Sequence, residues 1–223
     1  NENYKTFAIL ARRKGAKLIG HSHGISNAIT PYKQTRNEFS FLDCYFTWGK
    51  KDSAWMKGDL DTKGARLFSF GSPFLSSIRK WGKGGIDQNK FTLLYPSGPL
   101  MDFMSDLEEP TPESNLRHRL NVISLLKELM RKYKGMMVLY RPFPGTFNND
   151  PIKKEMAEEF TQGRVYLVDQ KPLDLYHNVD MVLWDTISTG FAESVQSEVP
   201  TLVFQSKFEL DAAITAGKNM NLE

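Results

Sequence analysis

The sequence predicts an α/β protein built on parallel sheets in two lobes, and three observations lead there. Short, continuously apolar runs such as "FTLLYPS", "MMVLYRP" and "DMVLWD" alternate with amphipathic stretches of helical period. The runs are apolar at consecutive positions, as in strands covered on both faces by helices. The alternation breaks once, at the polar, basic and glycine-bearing "SSIRKWGKGGIDQNK", which reads as a linker.

In chain order, "FAILARRKGAK" is helical and "LIGHS" is a strand. "LDCYFTWG" is a strand, "KKDSAWMKG" starts a helix, and "ARLFSFGSP" is a strand ended by Gly71 and Pro73. Beyond the linker comes the strand "FTLLYPS", then the acidic loop "MDFMSDLEEPTPESN". The long helix "LRHRLNVISLLKELMRKY" follows, with Leu116, Leu120, Ile123, Leu126, Leu129 and Met130 on one face. "PIKKEMAEEF" is a helix with Pro151 in its first turn. The strand "RVYLVDQ", the short helix "PLDLYHN" and the strand "DMVLWD" come next. "STGFAESVQSE" is a helix, "PTLVF" a strand, and "FELDAAITAGKNMNLE" a last helix. The expected organisation is a first lobe over 1–80, a linker over 81–90 and a Rossmann-like second lobe over 91–223. About three strands precede the linker and five follow it. The chain begins at Asn1 rather than Met and enters a helix at once, so the N-terminal lobe is expected to be incomplete.

The charge balance, 29 Lys+Arg against 26 Asp+Glu, gives a net +3. That is too mild to point to nucleic acid, and it suits anionic small substrates or an anionic membrane surface. The lone Cys44 excludes a disulfide framework and a cysteine-based zinc site, and a reducing, cytoplasmic setting is the simplest reading. No apolar run approaches the ~20 residues a bilayer span needs, and no signal-peptide pattern is visible.

Ligands of open α/β sheets bind at the carboxyl ends of the strands, so polar residues there are the candidates. In "VLWDTISTGFAESVQSE" a strand ends at Asp185, and Ser188, Thr189 and Gly190 lead straight into a helix. Such a helix start presents backbone N–H groups and the positive end of the helix dipole to an anion. Glu193, one turn on, can accept hydrogen bonds from sugar hydroxyls. The alternative is an ordinary capped helix. Arg141 emerges after "MMVLY" and can grip a phosphate bidentately; the alternative is a surface arginine paired with a carboxylate. "GHSHG" fits three readings. It matches the G-x-S-x-G elbow of serine hydrolases around Ser22, it holds a His21/His23 metal-like pair, and it can be a polar turn in some other active site. Pro31 disfavours the packed helix that an elbow needs, and a third metal ligand is not evident.

Taken in order, His-Gly after a strand, "YFTWGKKD", "FSFGSP", "LLYPSG", "LYRPFP" and "DMVLWDTISTGFAESVQSEVPTLVF" resemble the GT-B glycosyltransferases. The nearest branches resemble CDP-glycerol glycerophosphotransferase-like enzymes and transferases of bacterial surface carbohydrate, lipopolysaccharide or capsule. The resemblance covers most of the chain, and D-x-x-S-T-G-x-x-E-S is its most specific motif. It implies a GT-B-like fold and a general base at His23, with His21 as the competing position. It also implies donor diphosphate binding by Ser188, Thr189, Gly190 and Arg141, and ribose or nucleotide binding by Glu193 and Asp185. Some relatives carry His-Pro where this chain has Arg141-Pro142, which keeps a cation but removes an acid/base group. The implied enzyme is a metal-independent transferase without cofactor. It would move a glycosyl or polyol-phosphate group from a CDP-, UDP-, CMP- or GDP-linked donor to a surface glycan or lipid-linked acceptor. Its expected location is cytoplasmic, with peripheral contact at the inner membrane face compatible with the charge. A GT-B nucleotide-sugar epimerase and a serine hydrolase using Ser22 are the alternatives.

Overall fold

The structure, a computed structural model, describes residues 2–22, 41–59, 65–81, 90–100, 112–145 and 147–205. The chain divides into two compact units, one built on Asn1–Ser76 and the other on Ser77–Leu210.

The first unit starts with helix α1 (Glu2–Arg13) and strand β1 (Ile19–His21). Strand β2 (Cys44–Thr47), helix α2 (Lys50–Asp59), strand β3 (Arg66–Ser69) and the single turn α3 (Pro73–Ser76) follow. The strands pair in parallel in the order β1-β2-β3. Tyr45 of β2 and Met56 of α2 are buried together, with Leu42 and Leu67 against them. Gly20 lies under the Tyr45 ring, where a Cβ would come within 2.9 Å of Cε2. Asp43 accepts the Leu18 N–H at 2.9 Å and pairs with Lys17 at 3.4 Å. The Leu18 amide is the main cause holding its carboxyl below the ordinary value, with Lys17 adding to it and partial burial opposing.

The second unit holds β4 (Phe91–Pro96), β5 (Met136–Arg141), β6 (Val165–Leu167), β7 (Met181–Trp184) and β8 (Thr201–Val203). All pair in parallel, in the order β6-β5-β4-β7-β8. Successive side chains of a strand point to opposite faces, and β4 shows the consequence. Leu93 and Tyr95 join one core with Val122, Ile123, Leu126 and Met130 of helix α4 (Pro112–Lys132). Leu94 joins the other with Val182, Trp184 and Tyr176. The first face is also covered by Ile152 of α5 (Ile152–Glu155), and α6 (Ala157–Thr161) follows it. The second carries α7 (Pro172–Leu175), the 3₁₀ turn Tyr176–Asn178 and α8 (Thr189–Ser197). Strand order reverses between β4 and β7, which makes their carboxyl ends the switch point where such sheets hold ligands.

Two expectations change. On α4, Leu116 and Leu120 are exposed, and the buried stripe is Arg119, Val122, Ile123, Leu126 and Met130. The helix face turns inward around Arg119 because anionic partners wait for it there. The helix expected over "PIKKEMAEEF" is two short ones, parted at Met156, whose φ of −117° and ψ of 26° interrupt the helical path. Met156 and Ile152 are both fully buried, so the break serves packing. The acidic loop before α4 and the last expected helix fall largely or wholly outside the described residues, as do 82–89 of the expected linker. Lys80 and Trp81 pack within the second unit. Lys80 Nζ donates to the Gln196 carbonyl at 3.0 Å, and the Trp81 N–H donates to that of Ser197.

Candidate functional site

The carboxyl ends of β4, β5 and β7 are joined by one buried polar network. Arg119 is only 2% exposed and Asp185 only 4%. Arg119 Nη1 donates to Tyr95 Oη at 2.7 Å and lies 3.2 Å from Asp185 and 3.6 Å from Asp150. Its Nη2 donates to the Gly98 carbonyl at 2.6 Å. Asp185 accepts the Tyr95 hydroxyl at 2.8 Å and the Gly98 N–H at 2.7 Å. Tyr140 donates to Asp150 at 2.6 Å, and Ser97 Oγ, 3.3 Å from that phenol, accepts the Phe143 N–H at 3.1 Å. Burial, reinforced by the neighbouring carboxylates, pushes the Tyr95 and Tyr140 phenols far above their ordinary values, so both act as donors. Burial alone would lower the Arg119 pKa, but Tyr95, Asp185 and Asp150 outweigh it and keep the guanidinium protonated.

Asp185, expected at the donor nucleotide, has both carboxylate oxygens engaged in this buried network at the end of β7. Nothing in the local sequence around Arg119, Tyr95 and Asp150 marks them as partners in such a network. The one legible signal was spacing: Arg119 completes the 119/122/123/126/130 stripe, which is helical in period.

Beyond Asp185 the chain reaches α8. Ser188 is its N-cap in extended conformation, and its side chain makes no cap hydrogen bond. The first amides of a helix have no partner inside it; in α8, Ala192 reaches back to the Ser188 carbonyl at 3.4 Å. Gly190 is pressed against the Trp184 ring, and a Cβ would lie 2.8 Å from Cζ2. The glycine therefore lets α8 sit down on the strand. Trp184 Nε1 donates to Ser194 Oγ at 3.1 Å, and Tyr176 Oη donates to the Gly190 carbonyl at 3.0 Å. Glu193 is half-buried; burial raises its pKa, partly opposed by Lys171.

Arg141 ends β5 and is paired in register with Pro96 of β4. It makes no ion pair among the described residues. With neighbouring strands roughly 4.8 Å apart, it stands about 10 Å from the end of β7 across β4. It lines a recess of about 340 Å³ with Pro142, Phe143, Pro144, Leu167 and Asp169.

In the first unit His21 is exposed at the end of β1, and its Nδ1–H donates to the Ser22 carbonyl at 2.7 Å. Trp48 Nε1 donates to the same carbonyl at 3.1 Å. His23 lies outside the described residues. Ser22 is 2% exposed. A hydrolase nucleophile must reach its substrate, so this burial counts against the Ser22 elbow. Among the described residues no three His, Cys, Asp or Glu side chains converge as a metal site, and no helix is long and apolar enough to cross a membrane.

A family model described as "LIC12162 family transferase" matches residues 1–212. The chain belongs to the LIC12162 family of transferases. No curated protein matches it in sequence. Several solved structures match in shape. S. aureus MnaA, solved with UDP, superposes with a TM-score of 0.54 at 10% identity, over 97% of this chain and 63% of MnaA. The UDP-GlcNAc 2-epimerase of Neisseria meningitidis, bound to UDP-GlcNAc, gives 0.57 at 12% identity, over 94% and 58%. The pneumococcal O-GlcNAc transferase GtfA, in complex with UDP and GlcNAc, gives 0.50 at 14%, over 92% and 45%. The likeness is one of fold, and the fold is GT-B. The LIC12162 transferase chain spans between about half and two thirds of the length of these neighbours.

Proposed function

We propose that the second unit binds a nucleotide-activated donor at the carboxyl edge of its sheet. The donated group, a glycosyl or polyol-phosphate, would pass to a surface glycan or lipid-linked acceptor. One observation carries the reading: Arg141, a cation with no ion pair among the described residues, ends β5, and only β4 separates it from β7, which leads into α8 and its N-cap Ser188 without a side-chain cap. A guanidinium and a helix N-terminus are the two protein groups best suited to a diphosphate. Both stabilise the charge that develops on the leaving group, so this reading needs no metal. Ser188, Thr189 and Gly190 form the turn that receives the phosphates, and Glu193 accepts from the ribose hydroxyls. A histidine of the first unit, His23 or His21, takes the acceptor proton, a task a neutral imidazole performs near neutral pH. Nucleotides bound to neighbours of the same fold, UDP in MnaA and UDP-GlcNAc in the epimerase, support a nucleotide donor. In this reading the protein works on the cytoplasmic side, at the inner membrane face.

Thermal melts with CMP-, CDP-, UDP- and GDP-linked compounds test it. A ligand at a hundred times its Kd stabilises by about 2.7 kcal/mol, a rise of roughly 5–10 °C at this chain length. Arg141→Ala should abolish that rise and leave the unliganded melt in place. No rise with any nucleotide refutes the proposal. The epimerase likeness favours a second reading, in which a UDP-sugar is epimerised without an acceptor. Proton NMR of UDP-sugars incubated with the protein alone decides it, since a new epimer appears only in that case.

A further inference from the structure

We propose that His118 and Arg119, neighbours on α4, are positioning residues that hold the donor-binding turn in shape without touching the donor. The proposal rests on the donor reading above. Between Asp185 and Thr189 the chain has no regular structure, so its path is fixed by what grips its ends. His118 Nε2 donates to the Asp185 backbone carbonyl at 2.8 Å, and its ring stacks on Phe204 at 5.6 Å and 20°. Arg119 takes the same residue by its carboxylate at 3.2 Å. One helix turn thus holds both the main chain and the side chain of the residue that launches the α8 turn.

The hold extends to the loop after β4. Arg119 Nη2 binds the Gly98 carbonyl at 2.6 Å, and the Gly98 N–H binds Asp185 Oδ1 at 2.7 Å. The two loops pass so closely that a Cβ on Gly98 would lie 2.8 Å from Thr186 Cγ2. Through Tyr140 and Ser97 the network also reaches the Phe143 N–H, two residues beyond Arg141. The network links the two segments assigned to the donor, the α8 turn and the stretch after Arg141, through the loop after β4. Small errors in such geometry are costly, since a misplacement of about 1 Å lowers rates by up to ~10²-fold.

The test uses His118, because it is half-buried and its loss leaves no buried charge alone. Binding of UDP, CDP and GDP to the full chain is measured by calorimetry for wild type, His118→Ala and His118→Gln. Circular dichroism and thermal melts of each variant check the fold. Wild type should bind at least one of the three. His118→Ala should bind it roughly three- to tenfold more weakly, the loss expected for one hydrogen bond. His118→Gln, whose amide Nε2 can restore the donor to the Asp185 carbonyl, should recover most of that loss. A merely structural role would move the melts and leave affinity alone. Equal affinity for His118→Ala and wild type overturns the positioning role while leaving the donor reading standing. So does His118→Gln binding no better than His118→Ala. A wild type that binds none of the three overturns the donor reading, and the positioning role falls with it.

Discussion

Replacing Arg119 by Met is the strongest single test of what holds the second unit's carboxyl edge together. Met keeps much of the apolar stem and removes the guanidinium. The change deletes the donors to Tyr95 at 2.7 Å and to Gly98 at 2.6 Å, and the cation 3.2 Å from Asp185 and 3.6 Å from Asp150. Two carboxylates then remain in the core with no positive charge beside them. Removing one partner from a buried charge cluster costs about 3–5 kcal/mol, a large share of the roughly 5–15 kcal/mol that stabilises a typical protein. At about 2–4 °C per kcal/mol for chains of this size, the melting temperature should fall by roughly 6–20 °C. Urea unfolding followed by circular dichroism should show a lower midpoint with an unchanged slope. Tyr95→Phe removes one hydroxyl and leaves Arg119 beside Asp185, so it should cost only about 1 kcal/mol. Arg119→Met combined with Asp150→Asn and Asp185→Asn should recover part of the loss, because the unpaired charges are then gone. An Arg119→Met variant melting within about 2 °C of wild type would refute the reasoning.

Three further outcomes follow from the site. The folded-state pKa of Glu193 is raised by burial, so the stability it contributes is present below its unfolded pKa and lost as pH rises through the folded one. Glu193→Gln should therefore raise the melting temperature at pH 7, with the gain vanishing below about pH 4, and should weaken nucleotide binding; a gain independent of pH would contradict the burial argument. Gly190→Ala drives a methyl into the Trp184 ring and should destabilise by about 1–3 kcal/mol, read as a lower urea midpoint; an unchanged midpoint would show that α8 shifts freely on the strand. Because Ser22 is buried, a fluorophosphonate probe should leave the native protein unlabelled, and stoichiometric labelling lost in Ser22→Ala would reopen the hydrolase reading.

The strands were legible because burial on both faces writes itself into consecutive apolar residues. "FTLLYPS" supplies Leu93 to one core and Leu94 to the other, and "DMVLWD" likewise supplies Leu183 to the first and Val182 and Trp184 to the second. The three strands before the linker and the five after it appear in the two sheets at the expected places. The α8 turn was legible too, since a strand, a Ser-Thr-Gly turn and a helix lie next to one another in sequence. The polar network was not. Arg119, Asp150 and Asp185 come from different helices and loops, and only the sheet order brings them together. A hydrophobic count along α4 passes over Arg119 and selects Leu116 and Leu120, although the arginine fits the buried stripe better. The place of Asp185 in this network is hidden in the sequence for a related reason. Its place at a strand end marks it as near a ligand, but at the switch point its nearest neighbours are Gly98 and Tyr95 of the adjacent strand's exit.

In the proposed donor reading, the two arginines of this edge divide structure and binding between them. Arg119 is enclosed, and its charge is met by two carboxylates and a carbonyl, so an incoming phosphate finds no field there. Arg141 ends β5 beside a recess that also holds Asp169, but no carboxylate pairs with it among the described residues. An anion site needs both arrangements. A cation already paired must first be released before it can bind, which weakens affinity by the strength of the pair it gives up. A cation left unpaired binds well only if the loops around it stay where they are when the anion is absent. In the proposed reading, the closed cluster around Arg119 meets the second requirement and leaves Arg141 to meet the first. Arg141→Ala should accordingly remove binding without loss of stability, and Arg119→Met should lower both, a pattern that a site on mobile surface loops would not produce.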